Sequence, residues 1–472
     1  MSITQHANGN IARVPTTPRQ STPPADTAYK TVRYNAPWHS NGTKEIGAAV
    51  TATRSGNWYE QNRVLVWICA LTVVNQLGFG SIVPVVPLYA RSFGVSQSAI
   101  GLTIGIYGLA RFLLNMPAGQ LADRIGRRNV LAIGGGVVAL GNLLCALAPN
   151  YWAFLGARFV AGAGAALILT ASQIVMADIS TPERRGRILA VYSGVFSFAV
   201  GIGPFPGGVL AQHFGLPAPF FTFTILGLLA GAFAFFRVPE TRGMRGGKHQ
   251  AVIAPLPPFR EQARAMFSQT GFALISLVSF AAFFARTGAL FNIVPVIGEE
   301  RLGLGPDQIG LGLGMISVIG LGLAYPSGWM VDRFGRKIVI VPATIISGVA
   351  MLVFSFAPTY GWFILGCFAW SCSTGISGAA PAAYAADMAP PGMNAVAMSA
   401  YRMLADFGYV AGPLLIGLAA DTFGPNTALL GTAVGLVTVA LIFAFRAPET
   451  HRGRSLAVAA TPVSGTVATK DP

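Results

Sequence analysis

Twelve apolar runs leave this chain few folds to choose from. They lie at roughly 64–90, 97–121, 129–148, 152–177, 187–212, 217–237, 271–297, 307–330, 338–357, 361–386, 395–420 and 426–446. A helix needs about 20 residues to cross a bilayer, and each run offers roughly that. Hydrocarbon gives the backbone no hydrogen-bond partner, so only helices and closed barrels span it. The runs are continuous rather than alternating, which predicts helices. Only 10% of the residues are charged, against about 25% in a soluble domain, so much of the surface must face lipid. The expected class is an all-α membrane protein with twelve transmembrane helices.

The net charge of +15 raises nucleic acid as a partner. The basic residues lie in short loops and tails rather than on one face, so no nucleic acid is expected. Loops after even-numbered runs carry fifteen Lys and Arg; those after odd-numbered runs carry two, Arg91 and Arg301. Positive charge stays cytoplasmic, so both termini are predicted inside, with the chain in the cell (inner or plasma) membrane. Residues 1–62 are rich in Pro, Ser, Thr, Asn and Gly and read as a disordered cytoplasmic tail without a signal core. Cys69, Cys145, Cys367 and Cys372 lie in apolar stretches without metal-ligand spacing, so neither a metal nor a disulfide framework is implied. No cofactor is expected.

The chain is duplicated. Gly119-Gln120-Leu121-Ala122-Asp123-Arg124-Ile125-Gly126-Arg127-Arg128 returns as Gly328-Trp329-Met330-Val331-Asp332-Arg333-Phe334-Gly335-Arg336-Lys337, 209 residues on. At the same offset Asp178 matches Asp387, Gly203-Pro204 matches Gly412-Pro413, and Pro239-Glu240-Thr241 matches Pro448-Glu449-Thr450. The prediction is two six-helix bundles in parallel orientation, 63–239 and 271–446. A cytoplasmic linker at 240–270 joins them, with a short amphipathic piece at 259–267, and a cytoplasmic tail occupies 447–472.

Two parallel six-helix halves with this duplicated loop resemble the major facilitator superfamily, over about residues 60–455. The resemblance implies a secondary transporter that alternates access to a midplane site, with a small-molecule substrate and no enzymatic activity. In that family the loop latches the halves when the outside is open. This assigns a conformational latch to Gly119, Asp123, Arg124, Gly126, Arg127 and Arg128, and to Asp332, Arg333, Gly335 and Arg336. Topology alone needs neither Asp123 nor a glycine. In helix 4, Arg158 with Gly162 and Gly164 is similar to a signature whose arginine is implicated in proton coupling. In helix 5, Gly203, Pro204, Gly207 and Gly208 resemble a motif of drug:proton antiporters associated with export; generic close packing is the alternative reading.

Polar residues inside the spans mark the candidate site. Thr103, Tyr107, Arg111 and Asn115 recur every four residues in helix 2 and share one stripe. Asn75 and Gln76 in helix 1, Arg286 in helix 7 and Tyr409 in helix 11 complete the expected substrate-binding set. Many antiporters of the resembling group carry an acid in helix 1, and this helix 1 has none. Asp406 is the only acid well inside a span, because Asp178, Asp387 and Asp421 sit near ends. Asp406 is therefore the expected proton carrier, with Arg158 or Arg402 tuning it; Arg402 stands one helical turn before it and can pair. The expected activity is proton-linked efflux of small amphipathic compounds by a monomer. The alternative is carriage of an organic anion or metabolite, for which four arginines against one aspartate leave room.

Overall fold

The computed structural model describes residues 58–180, 184–242, 259–389 and 394–449. From Tyr59 on they belong to one compact unit. Twelve helices among them are long and apolar enough to cross a membrane. In chain order they are α1 (Trp58–Ile82, continued by Val85–Arg91), α2 (Gln97–Ile125), α3 (Arg127–Ala146), α4 (Tyr151–Ile179), α5 (Arg185–Ile202 and Pro204–Phe214) and α6 (Ala218–Arg237). The second half has α7 (Thr270–Ala285, Arg286–Ile293 and Val294–Leu302), α8 (Pro306–Phe334), α9 (Arg336–Phe356), α10 (Tyr360–Ser377 and Ala380–Asp387), α11 (Asn394–Phe423) and α12 (Pro425–Arg446). The predicted linker piece is a helix, Phe259–Phe267, anchored by buried Met266. The tail predicted over 1–62 lies outside the described residues up to 57. From Trp58 the chain is already helical, because Glu60 and Gln61 are good helix formers and carry α1 past its apolar run.

Each half packs within itself: α3 against α4 and α6, α2 against α4, and correspondingly α9 against α10 and α12, α8 against α10. Between halves the main contacts are α2 with α11 and α5 with α8. The repeat reaches the backbone. Positive-φ glycines recur as Gly94 and Gly303, Gly126 and Gly335, and Gly215 and Gly424, each pair at the 209 offset. Gly126 (φ 95°) and Gly335 (φ 94°) are one-residue turns between consecutive helices, a conformation most side chains resist.

The basic loops lie at one end of the molecule. At the other, far end the halves are tied together. Arg91 at the end of α1 pairs with Glu299 (2.7 Å) and Glu300 (2.6 Å) at the end of α7. Asp421 of α11 accepts hydrogen bonds from the backbone N–H groups of Gln97 (2.7 Å) and Ser98 (2.9 Å), capping α2 from across the interface. Glycines permit the approach: a Cβ on Gly101 would overlap the Pro413 carbonyl, and one on Gly208 the Pro306 carbonyl. These contacts close the molecule at the far end.

Candidate functional site

The polar residues converge near mid-span, where α1, α2, α4, α7 and α11 face one another. Arg158 of α4 is 2% exposed. Its guanidinium lies over the Tyr107 ring at 4.5 Å, and its Nε donates to the Thr103 carbonyl at 3.2 Å. Tyr107 stacks on Phe79 of α1 at 5.5 Å. From the other half, the Tyr409 ring of α11 packs against Gly108, and Arg111 lies over it at 5.8 Å. Arg111 and Tyr409 thus form a contact between the two halves. Arg286 of α7 lies over Phe291 at 5.3 Å. Arg111, Arg158 and Arg286 all act electrostatically on Tyr409, while Arg111 and Arg402 act on Asp406. A guanidinium in a span costs at least about 2.5 kcal/mol, and a desolvated cation–π contact returns about 2 kcal/mol. The rings therefore offset much of the burial.

Backbone breaks shape this centre. Pro413 has no N–H, so the Tyr409 carbonyl loses its helical donor. Thr287 offers one, its Oγ1 proton shared between the Tyr409 carbonyl at 3.1 Å and the Phe283 carbonyl at 2.9 Å. Asn292 donates in turn to the Pro413 carbonyl at 3.2 Å. Both donors lie in Arg286–Ile293, which winds as a π-helix. Such wide turns often mark functional sites, and this one starts at Arg286.

Not every predicted residue belongs to the cluster. Asn75 and Gln76 are buried in α1 and bond to each other at 2.8 Å. Asn115 accepts from Thr170 of α4 at 3.2 Å, one turn nearer the basic end than Arg111. Asp406 is half-buried and Arg402 exposed; among the described residues the ion pairs lie elsewhere, and these two form none. The helix 5 glycines face two ways. A Cβ on Gly203 would meet Gly80 and one on Gly207 the Ser81 carbonyl, both within the bundle, whereas Gly208 meets α8 of the other half. Pro204 sits where α5 breaks, at Gly203. An apolar cavity of about 470 Å³ between α7, α11 and α12 holds none of the predicted site residues.

The duplicated loop has a firm anchor and a free arm. Arg127 pairs with Asp178 at 3.0 Å, with side chains only 7% and 4% exposed. Thr241 also donates to Asp178, at 3.0 Å. Glu240 accepts from the N–H groups of Arg127 (3.0 Å) and Arg128 (3.2 Å) and so caps α3. A Cβ on Gly126 would collide with that carboxylate. Burial pushes the Glu240 carboxyl up, but the N–H donors of Arg242, Arg127 and Arg128 and the Arg127 charge outweigh it, holding its pKa below the ordinary value. Asp123 is 70% exposed and touches Arg127 of its own loop at 3.0 Å. The Arg124 carbonyl accepts from Arg242, and the Arg128 guanidinium covers Phe235 at 4.7 Å. Gly119 has only ordinary contact with Thr170. In the second copy Arg336 pairs with Asp387 at 2.8 Å, repeating Arg127–Asp178. Arg333 stacks on Trp329 at 5.1 Å, and the side chain of Asp332 lies outside the described residues. Sequence reasoning gave no role to Asp178, Glu240 or Thr241, although their recurrence at the 209 offset was the available signal.

The model of the Major Facilitator Superfamily matches residues 68–404 and 275–470. The chain is similar to the class C tetracycline resistance protein of Escherichia coli, 26% identical over 387 residues, which are 80% of this chain and 96% of that one. It is also similar to the multidrug resistance protein MdtL of Shewanella oneidensis, 26% identical over 293 residues, 61% of this chain and 71% of the relative. Among solved structures, a bacterial homologue of the human lysosomal transporter Spinster, in an inward-facing and unoccupied conformation, superposes with a TM-score of 0.67 at 17% identity, covering 83% and 97% of the two chains. The chain belongs to the Major Facilitator Superfamily. It is a multi-pass membrane transporter of a small molecule, not an enzyme, and the two resistance relatives bear out its resemblance to the drug:proton antiporter group.

Proposed function

We propose that this transporter exports small amphipathic compounds in exchange for protons, by rocking one bundle against the other around the mid-span cluster. The observation that carries the reading is Asp406. It is the one acid well inside a span, half-buried beside the cluster and within electrostatic range of Arg111 and Arg402. A carboxylate so placed can take a proton when the cavity faces one side and release it toward the other. The names of the relatives, tetracycline and multidrug resistance, support export as the direction. With the basic end cytoplasmic in the cell membrane, the closed far end faces outside and both termini are inside. The protein works as a monomer in this reading. Asp123, idle here apart from Arg127, is the residue that latches the halves once the far end opens.

The test is tetracycline flux in proteoliposomes under an imposed pH gradient, with the wild type and Asp406→Asn. Gradient-driven flux should fall at least tenfold in Asp406→Asn, while binding of the purified protein to the compound persists. Full gradient-driven flux by that variant sinks the assignment.

A further inference from the structure

Charge at the centre does not balance. Three guanidiniums act electrostatically on Tyr409, Arg111 over its ring, Arg158 over neighbouring Tyr107 and Arg286 over Phe291, against one carboxylate, Asp406. Arginine keeps its charge at any ordinary pH, so the cluster is positive in both protonation states of Asp406. Two of the guanidiniums lie over the rings of Tyr107 and Tyr409, and one donor, Arg158 Nε, is spent on the Thr103 carbonyl. The buried Nη1 of Arg158 and Nε of Arg111 have no hydrogen-bond partner among the described residues. A buried donor without an acceptor is costly, and a charged one more so. What would satisfy both is an acceptor bearing negative charge.

We propose that the transported compound carries an anionic group, such as a carboxylate, on an aromatic or apolar body, and that Arg111 and Arg158 receive that group. The inference rests on the transporter reading and narrows its substrate class. The two arginines stand on α2 and α4 of the first half, and Arg111 also touches Tyr409 of α11. An anion on Arg111 would compete with that contact, so binding bears directly on how the halves meet. The apolar body finds the Phe79 and Tyr107 rings, already stacked.

The test is equilibrium binding to the purified full chain in lipid nanodiscs, without any gradient. Matched probes are naphthoate, its primary amide naphthamide, and sodium chloride alone. Naphthoate should bind at least tenfold more tightly than naphthamide. That preference should fall to within twofold in Arg111→Gln and Arg158→Gln, and stay intact in Arg264→Gln on the linker helix. Arg111→Lys keeps the charge without the planar fork and should retain a reduced preference, which separates loss of the site from loss of the fold. No naphthoate binding, equal affinity for acid and amide, or a preference surviving both Gln variants overturns the proposal. So does full displacement of naphthoate by chloride at the same millimolar concentration, which would make this a site for an inorganic counter-ion. Binding without proton-driven flux would fault the coupling of Asp406 alone, and flux without acid preference would fault the substrate class alone.

Discussion

At the scale of single residues, the loop after α2 shows how one short stretch divides its labour. Arg127 turns inward to Asp178, and breaking such a buried pair from one side costs about 3–5 kcal/mol. Glu240 supplies the N-terminal cap that α3 lacks from its own N-cap residue, since Gly126 has no side chain to offer. Losing a cap costs about 1 kcal/mol, so Glu240→Ala should lower thermal stability by about that much. Its pH dependence has a definite sign. The folded carboxyl has a depressed pKa, so its contribution is complete above the unfolded value and disappears as pH falls through the folded one. Melting curves of wild type and Glu240→Gln, followed from pH 6 downward, should therefore converge on the acid side. Curves that stay parallel would show that the carboxylate does not cap α3 through its charge.

At the scale of helices, the glycines of α5 act by position. Gly203 and Gly207 let α5 lie against Gly80 and Ser81 of α1, while Gly208 lets α8 cross it at Pro306. Any Cβ there must displace backbone, which has nowhere soft to go. Gly208→Val should leave the first bundle intact, because the strain falls on the interface with the other half. The expected outcome is normal membrane insertion with at least tenfold lower flux; wild-type flux would mean the α5–α8 crossing is free to shift. The π-helix of α7 is the second device at this scale. Its Thr287 and Asn292 donate to the Tyr409 and Pro413 carbonyls, so α11 at its proline and the widened turn of α7 hold each other in register.

For the whole molecule, the far end and the basic end oppose each other. Arg91 with Glu299 and Glu300, and Asp421 with the start of α2, favour the closed far end. These groups are partly exposed, so each contact is worth about 0.2–1 kcal/mol. Shifts of about 1 kcal/mol move a two-state population about fivefold. Spin labels at Ser92 and Thr427 would report far-end separation by double electron–electron resonance. Arg91→Ala with Asp421→Asn should enrich the longer distances severalfold, and Asp123→Ala should deplete them. An unchanged distribution in the first variant would mean that packing alone holds the far end shut.

The sequence by itself determined the twelve spans, their duplication and the class, because the bilayer admits few backbones and a constant 209-residue offset admits few explanations. It also placed Arg111, Arg158, Arg286, Tyr409 and Asp406 inside spans, since a charge there must face protein. Pairings were less legible. Arg402 and Asp406 have the spacing to pair, yet Arg402 stays exposed and forms no ion pair with Asp406. Asp178 looked like a residue near a helix end until folding brought Arg127 and Thr241 to it from 51 and 63 positions away. Only the tertiary structure decided which helix faces meet, which end closes, and that Tyr409 sits among three arginines. Those are contacts between elements far apart in the chain, and helical periodicity fixes the face of each helix without saying what stands opposite.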